Sequence, residues 1–290
     1  MNEPTQPLGS PDVNGTEDAS RGRNDWLVKQ ATFVLRNIFL KGLGFAGFML
    51  SIWLAWHLII SIFAPPAWLF PSPSMVYQRF TELWEVEALQ PHLRITATEI
   101  VIGYLLGIAG ALLSGYPISQ IRLLEKVLTP YLIAANSVPL VAFAPLLILW
   151  LGNGIEAKIV VAALIVFFPA TISTITGFHA QSPIYKRLMR SLRASKLQRF
   201  LYLELPSAVP GILAGMKIGA PLAVVGAVVG EFLGTGLGLG HLILEANGLM
   251  DTPQLFVAII LLGMIGIVFY MLIMALEQIL LGPWHNKKRR

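Results

Sequence analysis

The side chains that could carry chemistry in this chain are few, and the familiar catalytic arrangements are missing. A phosphate loop needs a glycine-rich turn ending in Gly-Lys-Ser/Thr to cradle a nucleotide, and no Gly-Lys dipeptide occurs anywhere. The run Gly234-Thr235-Gly236-Leu237-Gly238-Leu239-Gly240 has the glycine density of a dinucleotide loop. It follows an apolar span instead of a strand, so it reads as a re-entrant or external turn. His57, His92, His179, His241 and His285 are scattered without metal-ligand spacing, and with no cysteine there is no thiolate site, disulfide or cysteine nucleophile. No catalytic residue, metal ligand or cofactor of this chain is expected, and nothing points to nucleic acid.

Two ionisable groups interrupt otherwise apolar runs, which is costly in lipid and therefore informative. Lys217 and Glu231 stand fourteen residues apart, near one helical face but about 21 Å apart along the axis, too far to pair with each other. Lys217 is placed to snorkel to the headgroups. Glu231 is either a solvated helix end or a group on a solute pathway. A third feature is Asn136-Ser137-Val138-Pro139 followed by Pro145. Each proline removes a backbone donor and frees a carbonyl four residues earlier, so the helix must bend or unwind there. Asn136, Ser137, Pro139 and Pro145, with Glu231, are the candidate pathway residues. A plain kink is the alternative.

The elements that must position these residues follow from composition. Of 290 residues 55% are hydrophobic and only 13% charged, and the mean hydropathy is +0.68. A soluble domain carries about 25% charged residues, so the solvent here is mostly lipid. Crossing a hydrocarbon core of about 30 Å takes about 20 apolar residues in a helix. Six stretches qualify: Gly44–Phe63, Ile100–Ile121, Val127–Ile155, Ile159–Tyr185, Leu205–Gly230 and Thr252–Ala275. The ten-residue alternation of a membrane barrel is absent. An all-α, polytopic membrane protein with six transmembrane helices is expected.

Lys and Arg are retained in cytoplasmic loops, and they set the orientation. Seventeen of the 21 basic residues fall before the first span, after spans two and four, and in the tail; only Arg79, Arg94 and Lys158 fall on the other side, with Lys217 inside a span. Both termini are expected to be cytoplasmic. Residues 1–25 have the composition of a disordered tail, without the apolar core of a signal peptide. Residues 26–43 read as an amphipathic interfacial helix, the alternative being an extension of span one; residues 44–281 form the membrane domain and residues 282–290 a basic tail. In the external loop, four prolines between Ala64 and Pro73 forbid a helix, and Ser74 is the expected N-cap of a short interfacial helix carrying Met75, Val76, Phe80, Leu83 and Trp84.

The loop at residues 182–204 reads as two short helices. Ser182-Pro183 is an N-cap with proline at the first helical position, and Ser195-Lys196-Leu197-Gln198 is a complete capping box. Ile184, Leu188, Met189 and Leu192 make an apolar stripe flanked by Lys186, Arg187 and Arg190. On a loop too polar for lipid, such a stripe needs a cover, from its own bundle or from a partner protein.

This loop, ending in Leu205-Pro206 and running into Ser207-Ala208-Val209-Pro210-Gly211-Ile212, resembles the coupling loop of bacterial ABC importer permeases. The resemblance covers residues 45–280. Val138-Pro139-Leu140, Ala144-Pro145 through Trp150, Phe168-Pro169, and Gly230-Glu231-Phe232-Leu233-Gly234 with Gly238-Leu239-Gly240 are similar to the nitrate/sulfonate/taurine branch, as is the Pro-Ser-Pro-Ser turn between Leu69 and Val76. Arg187, Leu188 and Met189 occupy the family's Glu-Ala-Ala positions, and Arg193 stands where the family has glycine. If that turn is left-handed, a side chain there costs about 1–2 kcal/mol. The resemblance implies a type I importer-like permease, with Ile184, Leu188, Met189, Leu192, Arg193, Ser195, Leu205 and Pro206 at the joint with a cytoplasmic ATPase that holds ATP and Mg. It further implies an external substrate-binding protein, a permease homodimer in membrane lipid, and a small anionic or heteroaromatic solute, of the riboflavin or thiamine-precursor type or a sulfonate or nitrate. A small secondary transporter is the alternative; it would show inverted repeats, and none is evident.

Overall fold

The computed structural model describes residues 47–234 and 236–287; the expectations for residues 1–46 and 288–290, including the disordered tail and the interfacial helix, lie outside them. Every regular element described is helical. Helix α1, Gly47–Phe63, belongs to a first unit ending at Pro65, and all that follows belongs to a second. The second unit contains α2 (Pro73–Glu85), α3 (Leu89–Gln120), α4 (Arg122–Ser137), a 3-10 turn (Leu140–Phe143), α5 (Ala144–Leu151) and α6 (Ile155–His179). It continues with α7 (Pro183–Ser191), α8 (Lys196–Arg199), a π turn (Phe200–Glu204), α9 (Leu205–Leu233), α10 (Leu239–Gly248) and α11 (Thr252–Lys287).

Four described helices are long and apolar enough to cross a membrane: α3, α6, the continuous Lys196–Leu233 helix and α11 up to Leu280. A fifth counts if α4 and α5 are one broken span. The six-span expectation is therefore met only in part. At 17 residues α1 spans about 25 Å, short of the hydrocarbon core by about one turn, although residues 44–46 of the expected span lie outside the described chain.

The core is a three-helix layer of α3, α6 and α9. It is held by close backbone approach, because apolar side chains gain little by leaving lipid for one another. A Cβ built on Gly226 of α9 would sit 2.5 Å from the Ala162 Cα of α6, and one on Gly103 of α3 would sit 2.6 Å from the Ala162 Cβ. Ala162 is thus the contact point of all three helices. Around it Ile100, Tyr104, Val166, Ala220 and Ala223 are buried, and the Tyr104 hydroxyl donates to the Met216 carbonyl at 3.0 Å, tying α3 to α9. Phe269 of α11 closes the layer edge-on to Tyr104, centroids 5.0 Å apart.

Prolines act differently according to their neighbours. Pro117, Pro169, Pro210 and Pro221 lie within continuous helices. Pro139 ends α4: Val138, confined by the following ring, is extended at ψ 132°, and the axis turns by 83° before α5. Pro145 lies in the first turn of α5, where a missing amide costs nothing. The expected bend is present, but the carbonyls expected to be freed are not orphaned. Ala135 O accepts from the Val138 amide and Val141 O from the Ala144 amide, both in tight three-residue turns.

The short helix after the proline-rich loop starts one step earlier than expected. Ser72 is the N-cap, its hydroxyl accepting from the Met75 amide, with Pro73 at N1. Ser74 instead hydrogen-bonds Ser72 at 2.9 Å. Val76 and Leu83 are the buried members of its stripe. Arg79 ties α2 to the α10–α11 turn through Asp251 at 2.7 Å and the Gln254 side chain at 3.0 Å. Partial burial opposes the Arg79 charge, but the hydrogen-bonded Glu82 and Asp251 carboxylates outweigh it and raise its pKa.

Candidate functional site

Three regions carry the sequence-derived residues. The first is the loop between α6 and α9. Ser182 has N-cap backbone geometry without a side-chain bond, leaving Pro183 at N1 to start α7. Ser195 and Gln198 form the full capping box, the Gln198 amide donating to Ser195 Oγ at 3.2 Å and the Ser195 amide to Gln198 Oε1 at 2.8 Å. Between them Arg193 has φ +49°, the left-handed turn at which the resemblance implies glycine. The second helix is not separate. Lys196–Arg199 passes through the π turn directly into α9, so Leu205 and Pro206 lie within one 38-residue helix. Ile184, Leu188 and Leu192 are 66%, 50% and 66% exposed; Met189 is half-buried, and Leu197, Leu201 and Tyr202 add further exposed apolar surface. The bundle does not cover the stripe among the described residues.

The second region is the broken helix. Asn136, Pro139 and Pro145 are exposed. Beside them a cavity of about 290 Å³ opens between the break and α6, lined by Val138, Leu140, Phe143, Val161, Ile165 and Phe168, almost wholly apolar. Asn136 and the two prolines are not among its lining residues.

The third lies at the far end of α9 and was largely missed by sequence reasoning. Glu231 is not a solvated helix end: it is fully buried. Its Oε1 accepts from Thr96 Oγ1 of α3 and its Oε2 from the Gly240 amide of α10. Thr96 Oγ1 in turn accepts from the Leu239 amide at 2.8 Å. His92 Nδ1 lies 2.8 Å from the Gly238 carbonyl and 3.1 Å from its amide, donating to the first or accepting from the second according to tautomer. Together they cap the start of α10 and pin the glycine turn. That turn needs glycine on two counts: Gly238 has φ +142°, and a Cβ there would collide with the Glu231 carboxylate. Alongside, the buried Lys158 donates to the Leu237 carbonyl at 2.9 Å and lies 3.4 Å from Glu99 Oε1. Glu99, also fully buried, has Lys158 as its neighbouring cation and the buried carboxyl of Glu231 as a second acidic neighbour.

Lys217 also departs from expectation. It does not snorkel alone; its amine is 2.8 Å from Glu277 Oε1 of α11, a residue beyond the expected end of that span.

Long helices packed through glycine, a buried polar clasp at one end and an exposed amphipathic loop at the other are the features of a polytopic membrane protein whose work lies in its contacts. Residues 100–281 match the family described as the binding-protein-dependent transport system inner membrane component, and the chain belongs to that family. It is 36% identical over 232 residues to a probable ABC transporter permease protein of Haemophilus influenzae, covering 80% of this chain and 92% of that one. It is 37% identical over 225 residues to the riboflavin transport system permease protein of Chloroflexus aurantiacus, covering 78% and 84%. To the formylaminopyrimidine transport permease protein of Halalkalibacterium halodurans it is 35% identical over 241 residues, covering 83% and 95%. A solved amino acid ABC transporter superposes on 70% of this chain with a TM-score of 0.49 and 19% identity. The chain is thus an inner-membrane, non-catalytic permease component of an ABC importer, which works with a separate ATPase subunit and a substrate-binding protein.

Proposed function

We propose that this permease admits a small heteroaromatic solute of the riboflavin or pyrimidine-precursor type, or a sulfonate, into the cytoplasm as a homodimer with six spans per chain and both termini inside. ATP and Mg reside on the partner ATPase. The observation that carries the mechanistic part is the exposed apolar face of α7, continued by Leu197 and Leu201. The basic asymmetry of the loops supports a cytoplasmic position for that face, and its capped ends favour a fixed shape for a partner to grip. Ile184, Leu188, Met189 and Leu192 supply the contact. Arg193 and Ser195 hold the turn, and Leu205-Pro206 passes the motion into α9.

The solute passes beside the α4–α5 break, where Asn136, Ser137, Pro139 and Pro145 interrupt the span. The neighbouring apolar cavity suits a flat ring system better than a small hydrated anion, which would find no charge to replace its water. Together with the riboflavin and formylaminopyrimidine permeases among the relatives, this favours the aromatic solute over the sulfonate. Glu231 is kept out of the pathway by its burial and serves to fix the external turn.

The test is uptake by proteoliposomes containing this chain, its ATPase and its binding protein. ATP-dependent accumulation of riboflavin or formylaminopyrimidine, with taurine left outside, is expected. Taurine accumulation with exclusion of both ring compounds would reverse the substrate assignment.

A further inference from the structure

A second cavity, this one polar and of about 300 Å³, lies where the α3–α4 turn meets the start of the α6–α9 loop. Four basic side chains line it, Arg122, Lys186, Arg190 and Arg199, against two acidic ones. Glu204 accepts from Arg199 at 2.6 Å, and Glu125 lies 3.5 Å from His179 Nδ1, a contact that is an ion pair only with a protonated ring. Arg122, Lys186 and Arg190 therefore converge on one half-enclosed hollow with no ion-pair partner among the described residues. Four cations against two carboxylates leave the hollow with a net positive charge, and an anion entering it relieves the remaining repulsion.

The position of the hollow selects the anion. Gln120 and His179 end the membrane-spanning helices α3 and α6, so the cavity floor lies at headgroup depth. Its Arg122 also begins a stripe along α4: Arg122, Glu125, Lys126, Thr129, Pro130, Ile133 and Ala134 line one groove and recur every three to four residues. Over about 18 Å the stripe passes from charged to apolar, as a phospholipid does from headgroup to acyl chain. Basic pockets between helices on the cytoplasmic side are recognised sites for anionic headgroups.

We infer that this hollow binds the phosphate of an anionic phospholipid of the inner leaflet, with an acyl chain along α4, and that the lipid braces the root of the coupling loop against the membrane. The inference rests on the cytoplasmic orientation proposed above. Arg122 contributes a planar fork suited to two phosphate oxygens; Lys186 and Arg190 add charge from the coupling helix itself.

The test uses the full chain extracted in detergent from vesicles of 30% phosphatidylglycerol in phosphatidylcholine, with retained lipid quantified by mass spectrometry. The unaltered protein is expected to retain phosphatidylglycerol in excess over its share of the vesicle. Arg122→Gln and Lys186→Gln should each weaken that retention about fivefold, while Lys196→Gln, a coupling-loop cation outside the hollow, should leave it intact. Arg122→Lys, which keeps the charge, separates loss of the site from loss of the fold and should retain most of the lipid. Retention unchanged in both glutamine variants would overturn the proposal. Full displacement of phosphatidylglycerol by millimolar inorganic phosphate would overturn it in favour of a soluble anion, and loss of the ATPase with unchanged lipid in Arg122→Gln would assign the hollow to the partner subunit. A protease tag placed after Ser195 and cleaved only from outside would instead sink the orientation, and is read separately from the lipid.

Discussion

At the level of single residues the buried ionic groups decide most. Glu99 and Lys158 are both sealed from solvent 3.4 Å apart, and Lys158 offsets the cost of burying acidic groups there. Lys158→Met removes the cation beside two buried acidic groups, Glu99 and Glu231. The expected outcome is a lower thermal unfolding temperature of the detergent-solubilised protein. Lys158→Met with Glu99→Leu should recover much of that loss, because one of the two buried acidic groups is gone. A double variant no better than the single one would show that Lys158 acts through the Leu237 carbonyl and not through Glu99. Sequence reading missed this pair for a specific reason: spans were delimited by charge, so segments were opened at Ile100 and Ile159, each one residue after the group that matters. The helices begin earlier, at Leu89 and Ile155, and carry both charges inside. Lys217 and Glu231 were visible because long apolar runs surround them, but their partners Glu277, Thr96 and Gly240 come from other helices and no local pattern announces them.

At the level of elements, what was legible was what local chemistry dictates. The Ser195–Gln198 capping box, the proline start of α7 and the bend at Pro139 all follow from residues within four positions of one another. What was not legible was continuity: the segment from Lys196 flows through a π turn into α9, so the turn at Arg193 joins α7 to the foot of a single helix about 57 Å long. The glycines along that helix are set by its neighbours, not by its own pattern. Gly226→Ala is expected to force α9 away from Ala162 and to lower the unfolding temperature and the yield of inserted protein, because the built Cβ meets backbone, which cannot rotate aside. Gly263→Ala in α11, where a Cβ meets nothing within 4 Å, should leave both unchanged or slightly improved. Equal tolerance of the two substitutions would contradict the close-packed core.

At the level of the whole molecule, the two ends of the bundle differ in kind. One end is sealed: the clasp of His92, Thr96 and Glu231 locks the glycine turn, and Arg79 ties α2 to the α10–α11 turn. The other end presents a fixed, capped and uncovered apolar stripe surrounded by cations. The central claim is that the stripe on α7 is the face that receives the ATPase. It is tested most directly by co-purification of the ATPase with Leu188→Asp and Leu192→Asp, each checked for normal membrane content, beside Lys196→Ala. Burying an unpaired carboxylate in that interface should abolish co-purification and ATP-driven uptake, whereas loss of the exposed Lys196 charge should weaken them by about 1 kcal/mol or less. If both aspartate variants insert normally and retain the ATPase with full uptake, the stripe is not the coupling surface.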